Sequence, residues 1–269
     1  MKKVLFPVAF VAVVLVFWES AARFFHVEKW LLPSPSAIAR ALWDARGLLA
    51  AHTVRTLIEA GAGFALAVAV GLVLAAVIDG SPVVGRSIYP LLVASQTIPI
   101  IVLAPLLVIW FGYGLLPKVL VVALTCFFPV VVTTADGLAA ADRDIQNLFR
   151  AMGATARQIF WKAKVPAAIP SLFTGLKVGG TYAVIGAVVG EWMGTDAGLG
   201  VFLTRSAHSY LTERVFAGIV VIAAVSLAIF GLLELLGRAA MPWRYRAGTT
   251  GNSKKTGTAS QSAGTVPQN

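Results

Sequence analysis

Long apolar runs set the rhythm of this chain, and short clusters of charge, glycine or proline separate them. A helix that crosses a bilayer needs roughly 20 mostly apolar residues. Six stretches meet that length: residues 4–24, 56–78, 88–111, 116–134, 172–193 and 215–237. The pattern predicts an all-α polytopic membrane protein, and an even number of spans places both termini on one side.

One polar stretch breaks the rhythm. Residues 142–170, DRDIQNLFRAMGATARQIFWKAKVPAAIP, are charged and helix-forming and lie between apolar runs. Asp142 is placed to cap a first helix ending at Met152, and Gly153 stands where helices stop in a left-handed turn. Thr155 caps a second helix, Gln158 completes a capping box, and Pro166 is expected to end it. On that second helix Ile159, Phe160 and Ala163 form an apolar side, while Arg157, Lys162 and Lys164 stay wet. An apolar knob on a polar loop suits a groove on a partner protein.

The remaining runs carry finer signals. Between the first two spans, LPSPSAIARALWDARGLLAAHTVRTL alternates apolar and charged residues at helical spacing, with Ser36 as the expected N-cap. It reads as an amphipathic helix on the outer surface, either an interfacial connector or a partner site. The third run holds Pro90, Pro99 and Pro105. Each proline removes a backbone donor, which lipid does not replace, so this helix is expected to face the bundle interior. Gln96 and Thr97 there either touch a substrate or bond a neighbouring helix. The fourth run continues the theme with Thr125, Pro129, Thr133 and Thr134. In the fifth, Gly175, Gly179 and Ala183, then Gly186, Gly190 and Gly194, recur at spacing four, a ridge for close helix packing within the bundle or across a dimer. Tyr182, Glu191 and Trp192 are not explained by packing, and Glu19 and Glu234 are acids near predicted span ends.

Composition narrows the class. The 269 residues are 58% hydrophobic and 13% charged, with mean hydropathy +0.83, whereas about a quarter of residues are charged in soluble domains. Lys and Arg number 22 against 12 acids, an excess that fits cytoplasmic loops better than nucleic acid once the apolar runs are counted. Placing both termini in the cytoplasm puts Lys2, Lys3, Arg86 and the basic residues of 143–164 inside, together with those from Arg238 onward. The Met-Lys-Lys start resembles a signal peptide, but its apolar run is too long and lacks a clean cleavage site, so an anchor is expected. Residues 1–246 read as one transmembrane domain. Residues 247–269, rich in Gly, Ser and Thr, read as a disordered cytoplasmic tail.

Candidate chemistry is sparse. Cys126 is the single cysteine and His26, His52 and His208 are scattered, so no metal centre is expected. GSPVVGRS nearly spells a phosphate-binding loop but lacks the preceding strand and the lysine, so no ATPase site is expected in this chain. An intramembrane enzyme would need a nucleophile with a base. A stand-alone secondary transporter would place ionisable groups in the middle of its spans, and few are found there.

The spacing of thirteen residues from Gly153 to Pro166 resembles the cytoplasmic loop of permease subunits in binding-protein-dependent ABC importers of type I fold. That loop reads E-A-A-x-x-x-G before its proline. Asn147 occupies the glutamate position, with Leu148 and Phe149 in the alanine positions. The segments LPSPSAIARALW, QTIPIIVLAPLLVIWFGYGLLPKV and GLKVGGTYAVIGAVVGEWMGTDAGLG resemble the branch for sulfonates, taurine, nitrate and thiamine-pyrimidine precursors, the last of these most. The resemblance implies a paired permease in the bacterial inner membrane, a solute-binding protein docking outside, and separate ATPase subunits that hold the ATP and magnesium. It implies no cofactor and no nucleic acid for this chain. It assigns ATPase coupling to Asn147, Gly153, Ala154, Gln158, Ile159, Phe160 and Pro166, and a translocation path to Gln96, Thr97, Tyr182 and Glu191.

Overall fold

Helix propensity and apolar length act together along almost the whole chain, and in the computed structural model, which describes residues 2–25, 28, 30–193 and 196–242, all regular secondary structure among the described residues is helical. Residues 247–269 and Gly194 lie outside this set. Helix α1 spans Lys2–Phe24, α2 Pro35–Asp44, α3 Arg46–Gly80, α4 Pro82–Ser95, α5 Ile100–Phe111 and α6 Leu115–Ala139. The polar insertion gives α7, Arg143–Ala151, and α8, Ala156–Ile159; a π turn over Phe160–Lys164 leads into α9, Val165–Glu191. Helix α10, Leu199–His208, and α11, Thr212–Ala240, complete the chain.

Five helices are long and apolar enough to cross a membrane, and α4 with α5 makes a sixth span if counted as one. These two meet at a bend of 97°, so the third expected span is a broken one. The break falls at Gln96–Pro99, where Pro99 has no N–H to continue the ladder. The hydroxyls of Ser95 and Thr97 turn back onto the carbonyls of Leu92 and Ala94, both at 2.7 Å, and satisfy part of what the break frees.

The centre of the bundle is α6 packed on α9 and α3. The glycine ridge makes this possible. A methyl at Gly186 would sit 3.1 Å from the Val122 Cα, and one at Gly179 would sit 3.3 Å from the Cys126 carbonyl, so α9 lies almost against the α6 backbone. The ridge is therefore spent inside one chain. Ala60, Ala67, Val122, Cys126, Ala183 and Ala187 fill the same seam. Helix α1 stands apart, touching α2 and setting Trp18 against Phe216 of α11, with ring centroids 5.9 Å apart.

The expected amphipathic helix forms, with its cap moved. Ser34, not Ser36, accepts from the Ala37 N–H, because Pro35 at the first helical position sets the start two residues earlier than expected. Ser36 instead donates its backbone N–H and hydroxyl to Glu19, at 2.9 and 2.8 Å, which fastens α2 to α1. The second half of the predicted amphipathic stretch belongs to α3, which begins at Arg46, ahead of the apolar run.

Candidate functional site: the coupling segment and a second polar cluster

The insertion begins as the local chemistry predicts. Asp142 accepts from the Asp144 N–H at 2.8 Å, α7 ends at Ala151 with Met152 as its C-cap, and Gly153 adopts φ +79. Thr155 and Gln158 form the reciprocal capping box. Ala154 donates to the Phe149 carbonyl at 2.9 Å and closes the corner.

Beyond the corner the expected stop does not occur. Pro166 sits in the first turn of α9, and the chain passes through it without a break. The wider π turn explains this: the Val165 N–H reaches back to the Phe160 carbonyl, so the turn has already loosened where the proline ring would collide with a tighter helix. The corner is thus joined to the bundle by one continuous helical rod.

The apolar knob is also turned the other way. Ile159 is 5% exposed, and Phe160 packs beside Ala75, Ala135, Leu138 and Ala168 at the ends of α3, α6 and α9. These two side chains hold the segment to its own bundle. The large apolar side chains left on its surface are Ile145, Leu148, Met152 and Trp161, at 47%, 60%, 75% and 61% exposure. Periodicity alone finds both faces but cannot say which is inward, since that depends on where α3 and α6 end.

Asn147 accepts from Arg150 at 2.8 Å. A cavity of about 380 Å³ next to it is lined by Arg143, Gln146, Asn147, Arg150 and Lys164. Lys164 in turn pairs with Asp79 of α3.

At the opposite end of the bundle the structure gathers a second polar group, of which sequence reading singled out only Glu191. Glu191 is buried and accepts from the Thr56 hydroxyl at 2.6 Å and from the Gly200 N–H at 2.5 Å. Thr56 also accepts from the Leu199 N–H at 2.9 Å, and His52 Nδ1 accepts from the Gly198 N–H at 2.8 Å. Three side chains from α3 and α9 therefore cap the first turn of α10. One turn along α3, Glu59 accepts from Lys118 Nζ at 2.6 Å and from Arg55 Nε at 3.0 Å. The sequence signal was the i, i+4, i+7 row His52, Thr56, Glu59 in an apolar helix.

Gln96 and Thr97 lie exposed at the α4–α5 bend, and Tyr182 is half-exposed on α9. Among the described residues no group of three or more His, Cys, Asp or Glu is placed to hold a metal ion.

Residues 67–241 match the family described as binding-protein-dependent transport system inner membrane component. The formylaminopyrimidine transport permease protein of Halalkalibacterium halodurans is 41% identical over 241 residues, covering 89% of this chain and 96% of the relative. The riboflavin transport system permease protein of Chloroflexus aurantiacus is 34% identical, over 85% of this chain and 86% of its own length. Among solved structures, an amino acid ABC transporter chain superposes with a TM-score of 0.60 at 19% identity, over 74% of this chain and 96% of that one, a likeness of fold. ABC importer permeases of this kind work with ATPase subunits and a solute-binding protein. The chain thus belongs to the binding-protein-dependent inner membrane components: it is the non-catalytic permease subunit of an ABC importer, set in the inner membrane and coupled to a separate ATPase.

Proposed function

We propose that this permease carries a small, planar nitrogen heterocycle, with formylaminopyrimidine or a close thiamine-pyrimidine precursor as the solute. The 41% identity to a permease named for formylaminopyrimidine, over nearly the whole chain, is the observation that carries this reading. The bend between α4 and α5 supports it. Irregular backbone at membrane depth persists only against protein or a water-filled cavity, so this bend suits the wall of a path. Ser95, Gln96 and Thr97 offer that wall neutral hydrogen-bonding groups and no cation. Such a surface suits an uncharged heterocycle better than a sulfonate, taurine or nitrate.

The path forms between two copies of the chain, with both termini and the coupling segment in the cytoplasm. The ATPase grips α7 and its corner through Leu148, Met152 and Trp161. The Arg143–Arg150 cavity next to Asn147 takes an acidic side chain of the ATPase. Ile159, Phe160 and the rod through Pro166 pass the movement into the bundle.

The test is ATP-dependent uptake by vesicles holding the permease, its ATPase and its solute-binding protein. Formylaminopyrimidine is expected to be taken up, and to be displaced by other aminopyrimidines rather than by taurine or nitrate. Uptake of taurine in preference to any pyrimidine would overturn the assignment.

A further inference from the structure

The second polar cluster is costly to build and is not explained by packing. Glu59 and Glu191 are essentially inaccessible and Lys118 is 4% exposed. At 1.5 Å per residue, Glu59 stands roughly 31 Å along α3 from Gly80, about one hydrocarbon thickness from the end that carries the coupling segment. Lys118 stands equally far along α6 from Ala139. The cluster therefore lies where the bundle meets the outer side, and it ties α3, α6, α9 and α10 together at one level.

Two features separate it from a structural staple. Buried ion pairs seldom stabilise a fold more than apolar side chains of the same volume, because desolvation offsets their attraction. Apolar residues would close this seam at least as firmly. In addition, the second carboxylate oxygen of Glu59 is buried with no hydrogen-bond partner. Both costs disappear once water enters, and Arg55, whose side chain is 43% exposed and bonded to Glu59, marks the edge from which water would come.

We propose that Glu59 and Lys118, with His52, Thr56 and Glu191, are positioning residues of the transport cycle. They form a dry ionic clasp that pins α10 across the outer end of the bundle and opens by hydration when the outer side opens. Charge in the seam lowers the cost of the wet, open form relative to the dry, closed one. An apolar seam of equal volume would hold the closed form instead. Glycine is needed on the α10 side of the clasp: Gly198 lies at φ +131, and a methyl there would collide with the Glu191 carboxyl group. The inference rests on the importer reading but not on the identity of the solute.

The test uses the full transporter in vesicles, with Ser206→Cys as reporter on α10. Ser206 is 6% exposed, and the native chain with Cys126 alone serves as the blank. Modification by a membrane-impermeant maleimide is expected to rise about ten-fold when ATP and orthovanadate trap the transporter, as a minor open form becomes the main one. Glu59→Leu combined with Lys118→Leu is expected to keep ATPase association and thermal stability while losing that rise. Labelling indifferent to trapping would overturn the proposal, as would an apolar pair that opens like the native chain. If the pair fails to assemble, Glu59→Gln, which keeps the volume and removes the charge, takes its place in the same comparison and is expected to lose the rise; a native rise in that variant would overturn the proposal. Neither readout requires the solute, so a wrong solute assignment leaves this test intact.

Discussion

Lys164 on the π turn closes onto Asp79 near the end of α3, with its Nζ 2.9 and 3.0 Å from the two carboxylate oxygens. Asp79 is 7% exposed at its side chain and Lys164 22%, so the pair is only partly screened. It ties the rod that leaves the coupling segment to the neighbouring span. Lys164→Met strands the carboxylate and is expected to cost about 2 kcal/mol, less than a fully buried pair would, since Lys164 reaches water. Thermal unfolding in detergent measures the loss. ATP-dependent uptake is expected to fall while the ATPase still co-purifies; native uptake by this variant would remove the pair from the coupling route.

Gly153 is held at φ +79 with open space around the position of a Cβ, so only the backbone resists substitution. Gly153→Ala is expected to lose roughly 1–2 kcal/mol and Gly153→Asn less, because asparagine tolerates this region. Co-purification of the ATPase should follow the same order. Equal retention by both variants would show that the corner does not need its left-handed residue.

Leu148 and Met152 face outward, whereas Ile159 faces the bundle. Leu148→Asp and Met152→Asp are expected to leave yield and melting temperature near native while abolishing ATPase association. Ile159→Asp buries an unpaired charge and is expected to lower the yield of folded permease itself. The reverse pattern, with Ile159→Asp folded but unbound, would return the ATPase contact to the second helix.

Gly175 meets Thr133 at its hydroxyl and Pro129 at its carbonyl, and a methyl there would come within 2.7 Å of that carbonyl. Gly175→Leu is expected to destabilise the single chain by about 1–3 kcal/mol through overpacking. Size-exclusion and thermal unfolding separate this from a dimer contact. A variant that is stable but monomeric would place the ridge between copies.

Local chemistry made much of this protein legible before any folding. Apolar run length locates the spans, since a long apolar run in lipid must satisfy its own backbone as a helix, although the 97° break within the third run was not legible from length. Asp142, Gly153, Thr155 and Gln158 describe their caps and corner because those bonds run between residues a few positions apart. The direction of a side chain is different, because it depends on a distant neighbour. Ile159 and Phe160 read as a free knob until the ends of α3 and α6 closed over them. Pro166 read as a stop until a π turn ahead of it made room. Glu191 read as an isolated acid until Thr56 came within 2.6 Å from another helix and Gly200 turned its N–H back from the start of α10. Most spans, and the caps and corner of the polar insertion, are decided along the chain; which face is buried, and which charges share a seam, are decided only when helices far apart in sequence pack together.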